Sequence, residues 1–294
     1  MKHMRNVLPY LLVLGFLSGC DIISTPKGEM AGPINPGSGV TRNVLLEDCT
    51  GARCPNCPAA AEVAEGLKNV YGDRLVVVAI HMSSTFAAPL PPIGDGMFDT
   101  DFRTVAGNDY ESVNGGFGID GLPKGMINRT PYNSPFVPMN KDSWSSAVAQ
   151  LIDLPADIDL WIDTLNFNSA TNMVTTTIKA AIVHEVPTSQ NLTIYLTEDH
   201  IFDWQIDNRL PLGQQNIENY EFRHVLRGAL NNSWGEAFIP ADAQAGDTLE
   251  FTHTYPLPAN VLVPDNCSLV AYVYNNAGAN QYEVQQATER KFTP

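Results

Sequence analysis

The sequence predicts an α/β domain followed by an all-β sandwich domain, and three observations carry that division. Strand, helix and strand patterns alternate from Asn43 to His81, a βαβ opening. The dithiol motif Cys54-Pro55-Asn56-Cys57 sits where the first strand turns into the helix. Beyond Pro155 the apolar pattern changes to period two and holds it to the end of the chain.

The chain starts with Lys2 and Arg5, an apolar run from Val7 to Phe16, and then Leu17-Ser18-Gly19-Cys20. This resembles a bacterial lipoprotein signal. The run is too short to cross a bilayer, and small residues before a cysteine fit cleavage there followed by lipidation of Cys20. On this reading residues 1–19 are the signal and the mature protein begins at Cys20; the other reading is a plain secretory signal with a chance cysteine. Residues 20–41, rich in glycine and proline and without periodicity, form a flexible tether behind the lipid.

The first domain is assigned to residues 42–154. Val44 to Asp48 is an apolar strand, and an alanine-rich helix runs from Ala59 to Tyr71, where Gly72 stops it. Leu75 to Ile80 is apolar at successive positions, the pattern of a central strand covered on both faces. The insertion Ser83 to Gly116 is rich in proline and glycine at its start and shows helical spacing from Phe98 to Tyr110. It reads as a substrate-facing lid or as a crossover helix with a decorated lead-in. Lys141 to Ile152 closes the domain as a helix, and Leu154-Pro155 ends it. Across residues 155–294, the stretches Ile158 to Phe167, Met173 to Val186, Asn191 to Thr197, Thr248 to Tyr255, Ser268 to Tyr274 and Tyr282 to Phe292 alternate, which implies an antiparallel sandwich of immunoglobulin-like type.

With 294 residues, 44% of them hydrophobic and 17% charged, the chain can bury a sizeable core. Its formal charge is −15 and becomes more negative once Lys2 and Arg5 leave with the signal, so nucleic acid is excluded as a partner. The sequence carries no cofactor motif. It points to no metal either: His184, His200, His224 and His253 are single, and the acidic loop with Glu198, Asp199, Asp203 and Asp207 lacks ordered ligand spacing.

Chemistry therefore concentrates at the dithiol. A cysteine at a helix N-terminus feels the positive end of the macrodipole, and Arg53 adds a positive neighbour. Such settings lower a cysteine pKa from about 8.5 into the range of roughly 3.5 to 7.5. Cys54 is the nucleophile on this reading and Cys57 resolves the mixed disulfide. A stable Cys54–Cys57 disulfide would carry the same motif, and so would half a zinc site, although no second ligand pair stands near. Cys49 and Cys267 are the remaining thiols, buried and inert on one reading, with a regulatory role for Cys49 or a Cys49–Cys267 pairing as the alternatives.

Val44 to Arg53 ahead of the motif, together with Phe117-Gly118-Ile119-Asp120-Gly121-Leu122-Pro123-Lys124-Gly125-Met126-Ile127-Asn128, resembles the active-site and cis-proline segments of the thioredoxin fold. The resemblance implies a thioredoxin-like first domain, with Pro123 as a cis-proline beside the dithiol and the backbone of Leu122 pairing with substrate. It also implies that Asp48 is a buried acid serving the proton of Cys57. Arg53 stands where that fold keeps an aromatic residue, which adds it to the candidate substrate contacts, and Pro-Asn replaces Gly-Pro between the cysteines.

Tyr220 to Leu230 with Trp234-Gly235-Glu236, taken together with the dithiol and the Phe117 to Arg129 stretch, resembles the outer membrane protein 28 family, lipoproteins of Bacteroidota. That resemblance implies a lipid-anchored protein of the cell outer membrane, with either membrane face open. It also implies O-glycosylation at Asp-Ser/Thr-apolar motifs, for which Thr164 and Thr248 qualify. Two functions follow. One is thiol-disulfide exchange on envelope proteins; the other is a surface binding or adhesion protein in which the Cys54–Cys57 disulfide is structural.

Overall fold

The computed structural model describes residues 39–91 and 96–292. The signal, Cys20 and the tether up to residue 38 lie outside the described residues. Strand β1 (Val44–Thr50) is buried at every position. Helix α1 (Cys57–Tyr71) buries Ala60, Ala64 and Leu67, spaced by three and four residues, and ends at Gly72, whose φ of 57° a side chain would resist. β2 (Leu75–His81) returns parallel to β1, from Val44 opposite Leu75 to Thr50 opposite His81.

Helix α2 (Val105–Glu111) is shorter than the predicted Phe98–Tyr110 stretch, because the Thr104 side chain accepts the Gly107 N–H at 3.1 Å and starts the helix there. β3 (Lys124–Ile127) pairs antiparallel to β1. A 3₁₀ turn (Lys141–Ser143) leads into helix α3 (Trp144–Leu151). The remainder is strand: β4 (Ile158–Asn168), β5 (Met173–Ile182), β6 (Gln190–Glu198), β7 (Ile201–Ile206), β8 (Asn216–Phe222), β9 (Val225–Ala229), β10 (Glu236–Ile239), β11 (Thr248–Pro256), β12 (Cys267–Asn275) and β13 (Val284–Lys291).

These strands overturn the expected fold class, a thioredoxin-like α/β domain followed by an immunoglobulin-like sandwich. Among the described residues β dominates, 40% strand against 16% helix. One eight-stranded sheet runs β13-β12-β6-β9-β2-β1-β3, with β10 on β6, and so joins strands from both sides of Pro155. The seam is the pairing of Ala79 with Val225, where the Ala79 N–H donates to the His224 carbonyl at 2.8 Å. β4, β5 and β11 form a second sheet, and β7 with β8 a separate hairpin.

The physical reason lies in how β2 is covered. Continuous apolarity predicted cover on both faces, and helices supply it on one side only, where α1 and α3 pack on Val44, Leu46, Leu75 and Val77. On the other side Leu45, Val76, Val78 and Ile80 pack with Tyr195 of β6 and Val270 and Tyr272 of β12. The opposite faces of β6 and β12, through Ile194, Leu196, Leu269 and Val273, pack on the three-stranded sheet at Ile158, Ile178 and Ala180. The large sheet also curls until its β13 end meets the chain entering β1. Asn43 gives its backbone N–H to Gln286 Oε1 at 2.7 Å and its side-chain amide to the Ala287 carbonyl at 2.9 Å.

Candidate functional site

The dithiol motif follows β1 directly, and Cys57 is the first residue of α1. The turn is tight: the Cys54 N–H donates to Gly51 O at 3.0 Å and the Cys57 N–H to Cys54 O at 3.2 Å. Cys54 and Cys57 form a disulfide with their Cα atoms 5.4 Å apart. Gly51 is required by packing, since a Cβ there would stand 2.5 Å from the carbonyl oxygen of Phe86, whose segment also accepts the Arg53 N–H at 2.8 Å.

Both cysteines are buried, 1% and 2% exposed, and the cover is the β7–β8 hairpin. Gln205 donates its side-chain amide to Cys54 O at 3.1 Å. The Ile206 and Asn208 N–H groups donate to Ala52 O and Pro55 O, each at 3.0 Å. Beyond them Arg209 forks onto Glu62 of α1 at 2.6 and 2.7 Å. The alternation of Ile201 to Ile206 and the turn residues Asn208 to Gly213 are a hairpin signature in the sequence.

Between α1 and this hairpin lies a cavity of about 350 Å³ that touches Cys57, Asp48, His81, Ala61, Tyr220 and Phe222. Asp48 faces it because β1 alternates: Val44, Leu46 and Asp48 point toward α1, while Leu45, Glu47 and Cys49 point away. Asp48 is 2% exposed and its Oδ1 has no hydrogen-bond partner. Burial pushes its carboxyl from 3.8 up to about 8. His81 is 1% exposed, with neither ring nitrogen partnered, and it packs against the rings of Phe102 and Phe222. Burial, reinforced by the charge of Arg227, takes its pKa from 6.5 down to about 3. At neutral pH the cavity floor therefore holds a protonated carboxyl and a neutral imidazole. His81 was not singled out from the sequence, where it is only the last residue of an apolar strand.

The other predicted residues are dispersed around this centre. The Leu122–Pro123 peptide bond is cis, and the Lys124–Cys49 pairing puts this segment at the end of β1 that leads into the motif. Leu122 is half-buried against the cluster around Cys49. Arg53 turns aside, with its guanidinium reaching Ser84 O at 3.4 Å. Cys49 and Cys267 are free, buried thiols. Thr164 and Thr248 are exposed. The acidic loop is resolved into individual pairs: Glu198 with Arg227 at 3.1 Å, and Asp207 with Arg209 at 2.6 Å.

Sequence reasoning also missed a buried ion pair on the opposite face of β1. Arg129 binds Glu47 through two hydrogen bonds of 2.7 and 2.8 Å, both side chains fully buried. Arg129 Nη2 also donates to the hydroxyls of Tyr272 and Tyr195 at 2.7 and 3.0 Å, and Tyr195 donates to Tyr110 at 2.7 Å. The guanidinium lies 4.8 Å from the ring centre of Tyr110 and 5.0 Å from that of Phe117. Burial raises the pKa of all three phenols, so they remain neutral donors. Arg129 ends the stretch singled out in the sequence, but its partners come from β1, α2, β6 and β12 and share no local pattern.

Among solved structures, HBP35 of Porphyromonas gingivalis is similar in fold: TM-score 0.59 at 16% identity, covering 86% of this chain and 76% of that one. Protein AGR_C_4864 from Agrobacterium tumefaciens aligns over 85% of this chain and 94% of its own, at 11% identity and a TM-score of 0.46. No curated protein matches the sequence. The model of the family described as outer membrane protein Omp28 matches residues 110–291, from Tyr110 through the cis-proline segment, Arg129, the hairpin and β12. The disulfide lies ahead of that span, which otherwise takes in most of the described fold, and the chain belongs to the Omp28 outer membrane protein family.

Proposed function

We propose that this outer membrane family protein exchanges disulfides with thiols of envelope proteins through Cys54–Cys57. The observation that carries the reading is Asp48: a buried carboxyl, its Oδ1 without a partner and its pKa raised to about 8, that lines one cavity with Cys57. Burying such a group costs stability, and sharing a cavity with Cys57 supports a role for it in handling that sulfur's proton.

A substrate thiolate attacks Cys54 Sγ, the Cys54–Cys57 bond breaks, and Cys57 leaves as a thiolate that takes the proton of Asp48. A second substrate thiolate then attacks the substrate sulfur of the mixed disulfide, which forms the substrate disulfide and releases Cys54 as thiolate. The substrate loses two electrons and the protein disulfide gains them; the steps reverse when a substrate disulfide meets the reduced pair. Attack requires the β7–β8 hairpin to lift from Cys54, and the Leu122–Pro123 segment at the end of β1 is the proposed docking edge. A lipid on Cys20 would hold this chemistry at the membrane.

The test is a redox titration of the mature protein in glutathione buffers with thiols trapped and located. A reversible Cys54–Cys57 couple between about −120 and −270 mV supports exchange, and loss of activity toward a model peptide in Cys54→Ser completes the case. A pair that stays oxidised below about −300 mV sinks it. The burial of both sulfurs supports the second reading, in which the disulfide is a staple and the protein binds a surface ligand; that outcome would put this reading ahead, and binding of a surface ligand with the disulfide inert would then test it.

A further inference from the structure

We propose that the cavity between α1 and the β7–β8 hairpin is a binding site for an uncharged aromatic group that carries a hydroxyl or a ring N–H. Its volume of about 350 Å³ falls at the small end of ligand sites, which run from roughly 300 to 1,000 Å³, and leaves room for one ring or two fused rings. The shape comes from the residues that line it. Ala61 and Ala64 give α1 a low, smooth wall, and Tyr220 and Phe222 of β8 also line the space. A flat apolar body fits among them, and the ring faces and edges suit aromatic contact.

The floor sets the polar requirement. Asp48 Oδ1 and both ring nitrogens of His81 are buried without partners, although both residues line the cavity. Buried polar atoms are normally satisfied, so three on one floor mark a place built to be filled by a hydrogen-bonding group. A protonated Asp48 and a neutral His81 can each donate and accept, and neither offers a charge to balance an ion. Glu62, Glu65, Glu221, Arg223 and His224 also line the cavity but are engaged in pairs, Glu62 with Arg209, Glu221 with Arg223 and Glu65 with His224, so a carboxylate, phosphate or ammonium brought to the floor would lose its hydration without a free counter-charge. A phenol or an indole would not. The group could come from a polypeptide side chain or from a free small molecule, and the chemistry of recognition is the same.

The mature chain with its disulfide intact, labelled in alanine and valine methyls, is titrated with p-cresol and with N-acetyl-tyrosinamide. No exchange occurs in this sample, so the result is separate from the redox reading. The proposal expects saturable shifts at the methyls of Ala61, Ala64 and Val77 at millimolar probe or below. Binding of p-cresol alone identifies free small molecules as the source, whereas binding of the tyrosine amide identifies a polypeptide. Ala61→Phe, which fills the half-exposed wall, should abolish binding, and His81→Phe should weaken it about tenfold or more. Absence of shifts at these methyls with either probe overturns the proposal, as does unchanged binding in a folded Ala61→Phe protein. If a variant fails to fold, the wild-type methyl shifts decide.

Discussion

Gln205 donates its side-chain amide to the carbonyl oxygen of Cys54 at 3.1 Å, so a hairpin more than half a chain away in sequence closes over the disulfide. The dithiol is an internal feature, 1% and 2% exposed at its two cysteines, and a reagent must pass the hairpin to reach it.

Loosening the cover should therefore expose the disulfide. Arg209→Ala removes the fork onto Glu62 and the contact with Asp207. Exposed pairs of this kind are worth up to about 1 kcal/mol, so reduction by a small phosphine should accelerate up to about fivefold. The rate of thiol appearance, trapped by alkylation, reads this directly; an unchanged rate would mean that the hairpin does not limit access.

Asp48 and His81 oppose each other in the pH dependence of stability. The raised Asp48 pKa means that the native state holds an extra proton between about 4 and 8, so stability falls as pH rises through that window. The depressed His81 pKa means that the unfolded state holds the extra proton between about 3 and 6.5, so stability rises with pH there. The two slopes cancel between about 4 and 6.5, and only the Asp48 slope, at most about 1.4 kcal/mol per pH unit, remains from 6.5 to 8. Urea melts across that range should show the decline in the wild type and its removal in Asp48→Asn.

Arg129→Met should be among the most damaging single changes, because it leaves the Glu47 carboxylate buried and unpaired. Breaking such a pair costs about 3–5 kcal/mol, and the double variant Glu47→Gln/Arg129→Met should recover part of the loss. Denaturant unfolding of the three variants checks both statements; a single variant within 1 kcal/mol of the wild type, to the order of that estimate, would contradict them.

Gly51→Ala tests how the motif is seated. Its Cβ would meet the Phe86 carbonyl, which is backbone and cannot swing aside. Overpacking of this kind costs about 1–3 kcal/mol, and the shift of the 83–90 segment should also weaken the hydrogen bond from Arg53 N–H to Phe86 O. Thermal melting and amide exchange at Arg53 measure the two effects.

Free thiols supply a further check. Cys49 is fully buried and its pKa is pushed up by desolvation, and burial takes Cys267 to about 12. Iodoacetamide should label neither in the native protein and both after denaturation, while Cys54 and Cys57 react only after reduction.

Local pattern made β1, α1 and β2 legible, because each depends on neighbours a few residues away, whereas the cis Leu122–Pro123 segment follows from the resemblance to the thioredoxin fold. Local pattern could not say what covers the second face of β2. Tyr195 and Tyr272 read as ordinary period-two strand residues, and nothing nearby marks them as the lid over Val76 and Val78. The Ala79–Val225 seam is equally silent, being a single pair between distant strands. At the site, Cys54 and Cys57 stand out by their motif, and Asp48 by the place that the thioredoxin resemblance gives it. His81 does not, since its importance comes from the orphaned ring nitrogens that tertiary burial creates. β8, with the sequence NIENYEF, is too polar to announce itself as a strand, yet it supplies Tyr220 and Phe222.

The curl that brings β13 back to Asn43 gives the fold a mechanical character. The chain enters β1 through Arg42 and Asn43, which are tied to Glu283, Gln286 and Ala287, while Thr41 bridges to Pro155. Tension applied ahead of residue 41 would load these attachments together, in shear, before it could peel β1 out of the sheet. A molecule pulled from that end should resist as a block and then yield abruptly, with the C-terminal strand and β1 separating in the same event.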